Sequence, residues 1–284
     1  MIPELFQKKK QLLSFEVFPP KKEEEFPEAY AVLDSLSKLK PHFISVTYGA
    51  GGSRSKKTVD IASYIHASLH LPVLAHLTCV GNTKADITSV AEQLKEAGVT
   101  NVLALRGDRP SYMTDEQFES REFSHASDLA AYLKATTDFH IAGACYPEKH
   151  YEALSMTEDL LNTKTKVSAG CEFLISQLFF DNDYFYRYQE LAQKSKINVP
   201  ICAGIMPITS AKQLGTTVSL SGSSVPKALS DLIAVYGDHP QDMRKAGIEY
   251  AINQIRELEE HGVDGIHLYS MNKPKVTAEI VSSI

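Results

Sequence analysis

No apolar run among the 284 residues approaches the ~20 needed to span a bilayer. The opening MIPELFQKKKQLLSF lacks the apolar core and small-residue cleavage site of a signal peptide. Membrane insertion is therefore not expected. There is no basic block and no basic-aromatic cluster; net charge is −6 and the isoelectric point about 5.9. Nucleic acid and acidic membrane surfaces are poor partners for such a chain. Cysteines are few: Cys79, Cys145, Cys171 and Cys202 lie far apart, form no C-x-x-C pair, and sit in or beside apolar runs. There they serve as small hydrophobes, which argues against a thiol nucleophile or a zinc site and for a reducing cytoplasm.

What the sequence does contain is alternation. Eight short apolar runs recur: Leu12–Phe18, Phe43–Tyr48, Pro72–Thr78, Asn101–Gly107, His140–Tyr146, Glu172–Phe180, Val199–Ile205 and Gly265–Ser270. Helix-like segments separate them. In Lys84–Gly98, Ile87, Val90, Ala91, Leu94 and Ala97 mark one helical face, and Gly98 stands where a C-terminal cap belongs. Eight strand–helix alternations in under 300 residues predict an α/β chain folded as a single (β/α)8 TIM barrel over residues 1–284. The competing doubly wound sheet calls for a G-x-G-x-x-G turn after its first strand. Here that strand runs into PPKKEEE, and Gly49, Gly51 and Gly52 have the wrong spacing. Two stretches, Asp108–Ser124 and Thr209–Gly262, exceed what a minimal barrel needs.

Barrel chemistry gathers at the carboxyl ends of the strands. Those ends carry Glu16, Thr47, His76, Arg106 with Asp108, Tyr146, Gln177 and Tyr269, while the strand middles are Val, Ile, Leu and Ala. The expected shape is a polar-rimmed mouth on a dry barrel, wide enough for an organic cofactor. Period-two alternation puts Ser14, Glu16 and Phe18 on one face of the first strand. Glu16 beside Phe18 in an apolar mouth should have a raised pKa and act as a proton donor; the rival is an inert ion pair with Arg106. Asp108 reads as a carboxylate near a redox ring, or as a turn residue in RGDRP. His76 reads as a neutral hydrogen-bonder or a satisfied core histidine, and no partner at ligand spacing suggests a metal. Phe179 and Phe180 read as packing residues.

The motifs SFEVFPPK, SVTYGAGGS, AHLTC, LRGD, YPE-x-H, DLLNTKTKVSAG and QLFFD occur in this order from about Ser14 onward. In them the chain resembles the bacterial-type methylenetetrahydrofolate reductases. The resemblance implies a FAD-containing barrel that reduces 5,10-methylenetetrahydrofolate to 5-methyltetrahydrofolate with NADH or NADPH. It implies Glu16 as the general acid that opens the methylene bridge, before flavin N5 gives a hydride to that carbon. Asp108 would lie by flavin and pterin, and Gln177 would hold the folate. Thr47, His76, Arg106, Gly107, Asp108, His125, Ala126, Tyr146, His150, Asp159 and Lys166 match FAD-contacting positions. Gln213 keeps a substrate-contacting glutamine, and Tyr269 and Lys273 fall at the folate end of the last strand, with Lys273 where the family has arginine.

An aromatic that stacks on both substrates in some members corresponds here to Thr217 or Val218. The resemblance further implies ping-pong kinetics on one flavin face, a homo-oligomer (tetramer or dimer), and no S-adenosylmethionine-binding regulatory domain. Another flavin barrel of the proline dehydrogenase type, and a folate- or flavin-binding subunit without turnover, are the alternatives.

Overall fold

The computed structural model describes residues 1–48 and 53–284, so the glycines at 49, 51 and 52 lie outside the described residues. Eight parallel strands follow each other around a closed barrel, and β8 pairs back onto β1 from Leu12↔Gly265 to Glu16↔Tyr269. They are β1 (Leu12–Val17), β2 (Phe43–Val46), β3 (Val73–Thr78), β4 (Asn101–Leu105), β5 (His140–Cys145), β6 (Cys171–Ser176), β7 (Ile201–Ile205) and β8 (Gly265–Tyr269). Seven of the eight predicted runs contain their strand, and the sixth, Glu172–Phe180, misses only the first residue of β6, Cys171. Being covered on both faces, a strand such as β3 is buried along its whole length, which is why it reads as a near-continuous apolar run.

Before and between the strands lie α1 (Ile2–Lys8), α2 (Phe26–Ser37), α3 (Ser53–Ala67), α4 (Lys84–Glu96), α5 (Asp115–Glu119) and α6 (Ala126–Thr136). Then come α7 (Met156–Ser168), α8 (Asn182–Lys194), α9 (Ala211–Ser221), α10 (Lys227–Tyr236), α11 (Pro240–Glu260) and α12 (Pro274–Val281). Helix α4 shows how local sequence sets an element. Thr83 caps its start by accepting from Asp86 N at 3.1 Å, and Asp86 accepts from Thr83 N at 2.8 Å. Ile87, Val90, Ala91 and Leu94 are buried, and Val99 N donates to Leu94 O past Gly98, closing a Schellman turn. The long stretch Thr209–Gly262 is not a loop: it folds as α9, α10 and α11. Within Asp108–Ser124, α5 is held by Arg121 and Arg109 lying over the Phe118 ring at 3.8 and 5.2 Å.

Two cores result. One lies between sheet and helices; the other fills the lower barrel with Leu12, Phe43, Leu74, Leu103, Ala142, Phe173 and Cys202. Helix α1 stoppers that lower end: Ile2 is fully buried, Phe6 packs 5.4 Å from Phe173, and Ile2 N donates to Asn101 Oδ1. The barrel is thus open at one end. All four cysteines are buried and free, with burial pushing the Cys79 thiol up to about 11. Among the described residues no helix is long and apolar enough to cross a membrane.

Candidate active site

Inward-facing side chains change from apolar to polar as each strand climbs. In β1 the sequence is Leu12, Ser14, Glu16; in β2 it is Phe43, Ser45, Thr47; in β8 it is Gly265, His267, Tyr269. At the open end lies a cavity of about 310 Å³ lined by Glu16, Thr47, His76, Arg106, Gly107, Asp108, Tyr146, His150, Gln177 and Tyr269. All seven polar strand ends therefore converge on one space. The remaining strand, β7, carries Gly204, and here a side chain is excluded sterically. A Cβ at Gly204 would stand 2.3 Å from Ser176 O and 2.8 Å from Tyr269 Oη, so glycine makes room for the tyrosine.

A second cavity of about 440 Å³ shares Leu105, Arg106, Ala144, Tyr146 and His150 with the first. It extends outward between the starts of α6 and α7, taking in His125, Ala126, Asp159 and Lys166. The two expected substrate contacts that line neither cavity are Gln213 and Lys273. They meet beyond it through one hydroxyl: Lys273 Nζ donates to Thr209 Oγ1 at 3.3 Å, and Thr209 Oγ1 donates to Gln213 Oε1 at 3.0 Å. Thr217 is buried within α9, and Val218 packs in the neighbouring apolar cluster.

Glu16 sits between two imidazoles, with Oε2 3.6 Å from His76 Nε2 and 3.7 Å from His267 Nε2. Its side chain is 20% exposed. Arg106 does not pair with it; the guanidinium is engaged bidentately by Glu152 instead. That pair is half open to solvent and contributes on the order of 1 kcal/mol at most, so its effect is to fix Arg106 against the cavity wall.

The raised pKa expected for Glu16 is not what the folded chain gives. Burial pushes the carboxyl up, but the His267 imidazole and the field of His76 together outweigh it and leave the pKa below the ordinary value. The reason is geometric. Phe18, expected beside it, is 42% exposed, its backbone pinned outward by Asn272. Imidazoles occupy the place assigned to aromatic rings. Burial brings His76 down to about 4, so it is neutral near pH 7, as expected.

Unpaired polar atoms mark the walls. His76 Nε2, Thr78 Oγ1 and Asp159 Oδ2 are buried without a hydrogen-bond partner. Burial raises the Asp159 carboxyl and lowers the Lys166 ammonium, which lies 5.5 Å over the Tyr146 ring and donates to Ala144 O. Gly107 takes φ +83°, and a Cβ there would stand 2.8 Å from Val80 Cγ1. Asp108 is exposed on the rim and makes no hydrogen bond or ion pair among the described residues. Phe179 and Phe180 are buried packing residues. Sequence reasoning missed His267, Ser45 and Glu152. The first two lie one alternation step below Tyr269 and Thr47, a signal that inspecting strand ends alone passes over.

The family model described as methylenetetrahydrofolate reductase matches residues 1–284. The chain belongs to that family. It is 32% identical over 272 residues to 5,10-methylenetetrahydrofolate reductase of Escherichia coli K12, covering 96% of this chain and 90% of that protein. The like-named protein of Buchnera aphidicola subsp. Acyrthosiphon pisum is 34% identical over 267 residues, covering 94% and 89%. Methylenetetrahydrofolate reductase 1 of Schizosaccharomyces pombe is 31% identical over 280 residues, covering 98% of this chain and 46% of that longer protein. Among solved structures, a Clostridium thermocellum protein that binds two copies of 5-methyl-5,6,7,8-tetrahydrofolic acid shares the fold, with TM-score 0.73 and 17% identity. The match covers 100% of this chain and 98% of that one.

Proposed function

We propose that this chain reduces 5,10-methylenetetrahydrofolate to 5-methyltetrahydrofolate with bound FAD and with NADH or NADPH as electron source, the two reactants taking turns at one mouth. In this reading residues 1–284 are a single catalytic domain, acting in the cytoplasm as a homo-oligomer, dimer or tetramer. The observation that carries the proposal is Glu16, held between His76 and His267 inside a cavity on which seven polar strand ends converge, in a chain of this family.

The walls fit the cofactor. Leu103, Leu105 and Ile175 offer apolar surface for a flat ring system, and the partnerless atoms of His76 and Asp159 await a polar ligand. Around the second cavity, Arg106, Lys166 and the first turn of α6 suit an anionic portion. FAD, when bound, supplies the hydride chemistry. Thr47, Gly107, His125, Ala126, Tyr146 and His150 complete that wall, with Asp108 at the rim between cofactor and folate. Gln177, whose amide nitrogen has no partner among the described residues, would hold the folate, with Tyr269, Gln213 and Lys273 at its outer end.

Glu16 has to deliver a proton to a weakly basic nitrogen. In the open site it is a carboxylate. Filling the cavity with apolar rings removes the water that favours the ion, so burial gains weight and proton uptake follows ligand entry. The expected result for Glu16→Gln is near-normal flavin reduction by NADH or NADPH, with folate-driven reoxidation slowed roughly 10²–10⁴-fold. Rapid-mixing spectra of each half-reaction test it, and a variant that still turns over folate removes Glu16 from the role. A yellow protein whose spectrum answers neither reactant would instead be a binding subunit.

A further inference from the structure

Below Glu16, in the closed part of the barrel, lies a buried group that the proposed reaction does not use. His267 has no solvent exposure. Its Nδ1 is 2.7 Å from Ser14 Oγ, and its Nε2 is 3.3 Å from Ser45 Oγ and 3.7 Å from Glu16 Oε2. Its ring stacks 6.0 Å from Phe43 and meets Tyr269 edge-on at 5.5 Å. An imidazole fixed on both sides cannot rotate away, so what it presents to Glu16 is decided by its tautomer.

Two tautomers fit the contacts of Ser14. The Ser14 hydroxyl has one proton and two acceptors in reach: Nδ1 at 2.7 Å and Ile266 O at 3.3 Å. Given to Ile266 O, it leaves Nδ1–H as the donor to Ser14 Oγ; given to Nδ1, it makes that nitrogen the acceptor. In the second case Nε2 carries the hydrogen toward Ser45 and Glu16, and a carboxylate 3.7 Å away favours that tautomer over one presenting a lone pair.

We propose that His267 is a positioning residue: clamped by Ser14 and Ser45 with its Nε2–H aimed at Glu16, it holds that side chain as an oriented carboxylate in the open site and so sets the pH at which Glu16 carries a proton. The other groups facing Glu16 do not substitute for it. His76 Nε2 on β3 adds its field from 3.6 Å but no hydroxyl clamps that nitrogen, Tyr269 on β8 turns its hydroxyl to Ser176 O at 2.9 Å, and Ser45 on β2 and Thr47 just after it are neutral. The consequence for turnover rests on the folate-reducing reading; the assignment of a donor beneath Glu16 does not. Holding the acid strong makes each proton easier to give, at the cost of fewer Glu16 side chains carrying one at neutral pH.

The test is direct titration of the ligand-free chain, labelled with carbon-13 at glutamate carboxyls, the Glu16 signal being identified by its loss in Glu16→Gln. Ser14→Ala removes the donor that fixes the tautomer, and His267→Asn has no amide reaching the Nε2 position; in both the Glu16 midpoint rises. His267→Gln places an N–H near the Nε2 position and returns the midpoint toward that of the parent chain. The pH limb of the folate half-reaction moves with it, while flavin reduction by NADH or NADPH keeps its pH profile. A Glu16 midpoint that stays put in folded Ser14→Ala and His267→Asn overturns the proposal. Because the titration needs no turnover, an inactive chain would defeat the folate reading and leave this result standing.

Discussion

Two acidic side chains at the mouth differ in how closely their neighbours hold them. Glu16 is mostly enclosed and answers to two imidazoles; Asp108 stands on the rim without a hydrogen bond or ion pair among the described residues. On the proposed reading Asp108 lies near a bound flavin, and that gives a clear expectation. An anionic reduced ring is disfavoured by a nearby carboxylate, so Asp108→Asn raises the flavin midpoint potential, as read by anaerobic titration against a redox dye. An unchanged or lowered potential would place Asp108 away from the ring. Arg106 illustrates the opposite case: its salt bridge to Glu152 lowers that carboxyl to about 2, yet the pair is too exposed to carry much stability.

At the scale of elements, β7 is the strand that gives way. Gly204 lies against Ser176 O and Tyr269 Oη, and Ser176 Oγ accepts from Gly204 N at 2.9 Å. One methyl group there has no space. Gly204→Ala should cost about 1–3 kcal/mol, the usual range for overpacking, seen as a lower urea midpoint with displaced Tyr269. A wild-type midpoint would mean β6 and β8 can part without loss. The strands themselves were legible because two-sided burial writes each as a short apolar run bounded by helical periodicity. Glu16, His76, Arg106, Tyr146, Gln177 and Tyr269 were legible for a related reason: polar residues at the ends of such runs have only the mouth to face. His267 and Ser45 were not, since a polar residue one step deeper looks like a break in the core until the register with β1 is known. The helices in Thr209–Gly262 were hidden by the absence of any strand to frame them. The outward turn of Phe18 depended on Asn272, more than two hundred residues away.

For the molecule as a whole, the buried histidine ties stability to acidity. His76 has a folded pKa of about 4 against an ordinary value of 6.5. A lowered histidine makes the unfolded chain the better proton binder, so stability is intact above about pH 6.5 and is lost as the pH falls toward 4. The loss is about 3 kcal/mol across that window, from ~1.4 kcal/mol per pH unit. His76→Asn should flatten this part of the curve in urea melts between pH 7 and 4; an unchanged slope would show that other groups govern it. The stopper formed by α1 has its own consequence at this scale. Phe6 and Ile2 shut the far end of the barrel, making it a beaker with one lip and no drain. Whatever enters departs by the route it came, so a spent molecule obstructs its successor, and an inhibitor need only plug the rim to silence the whole vessel.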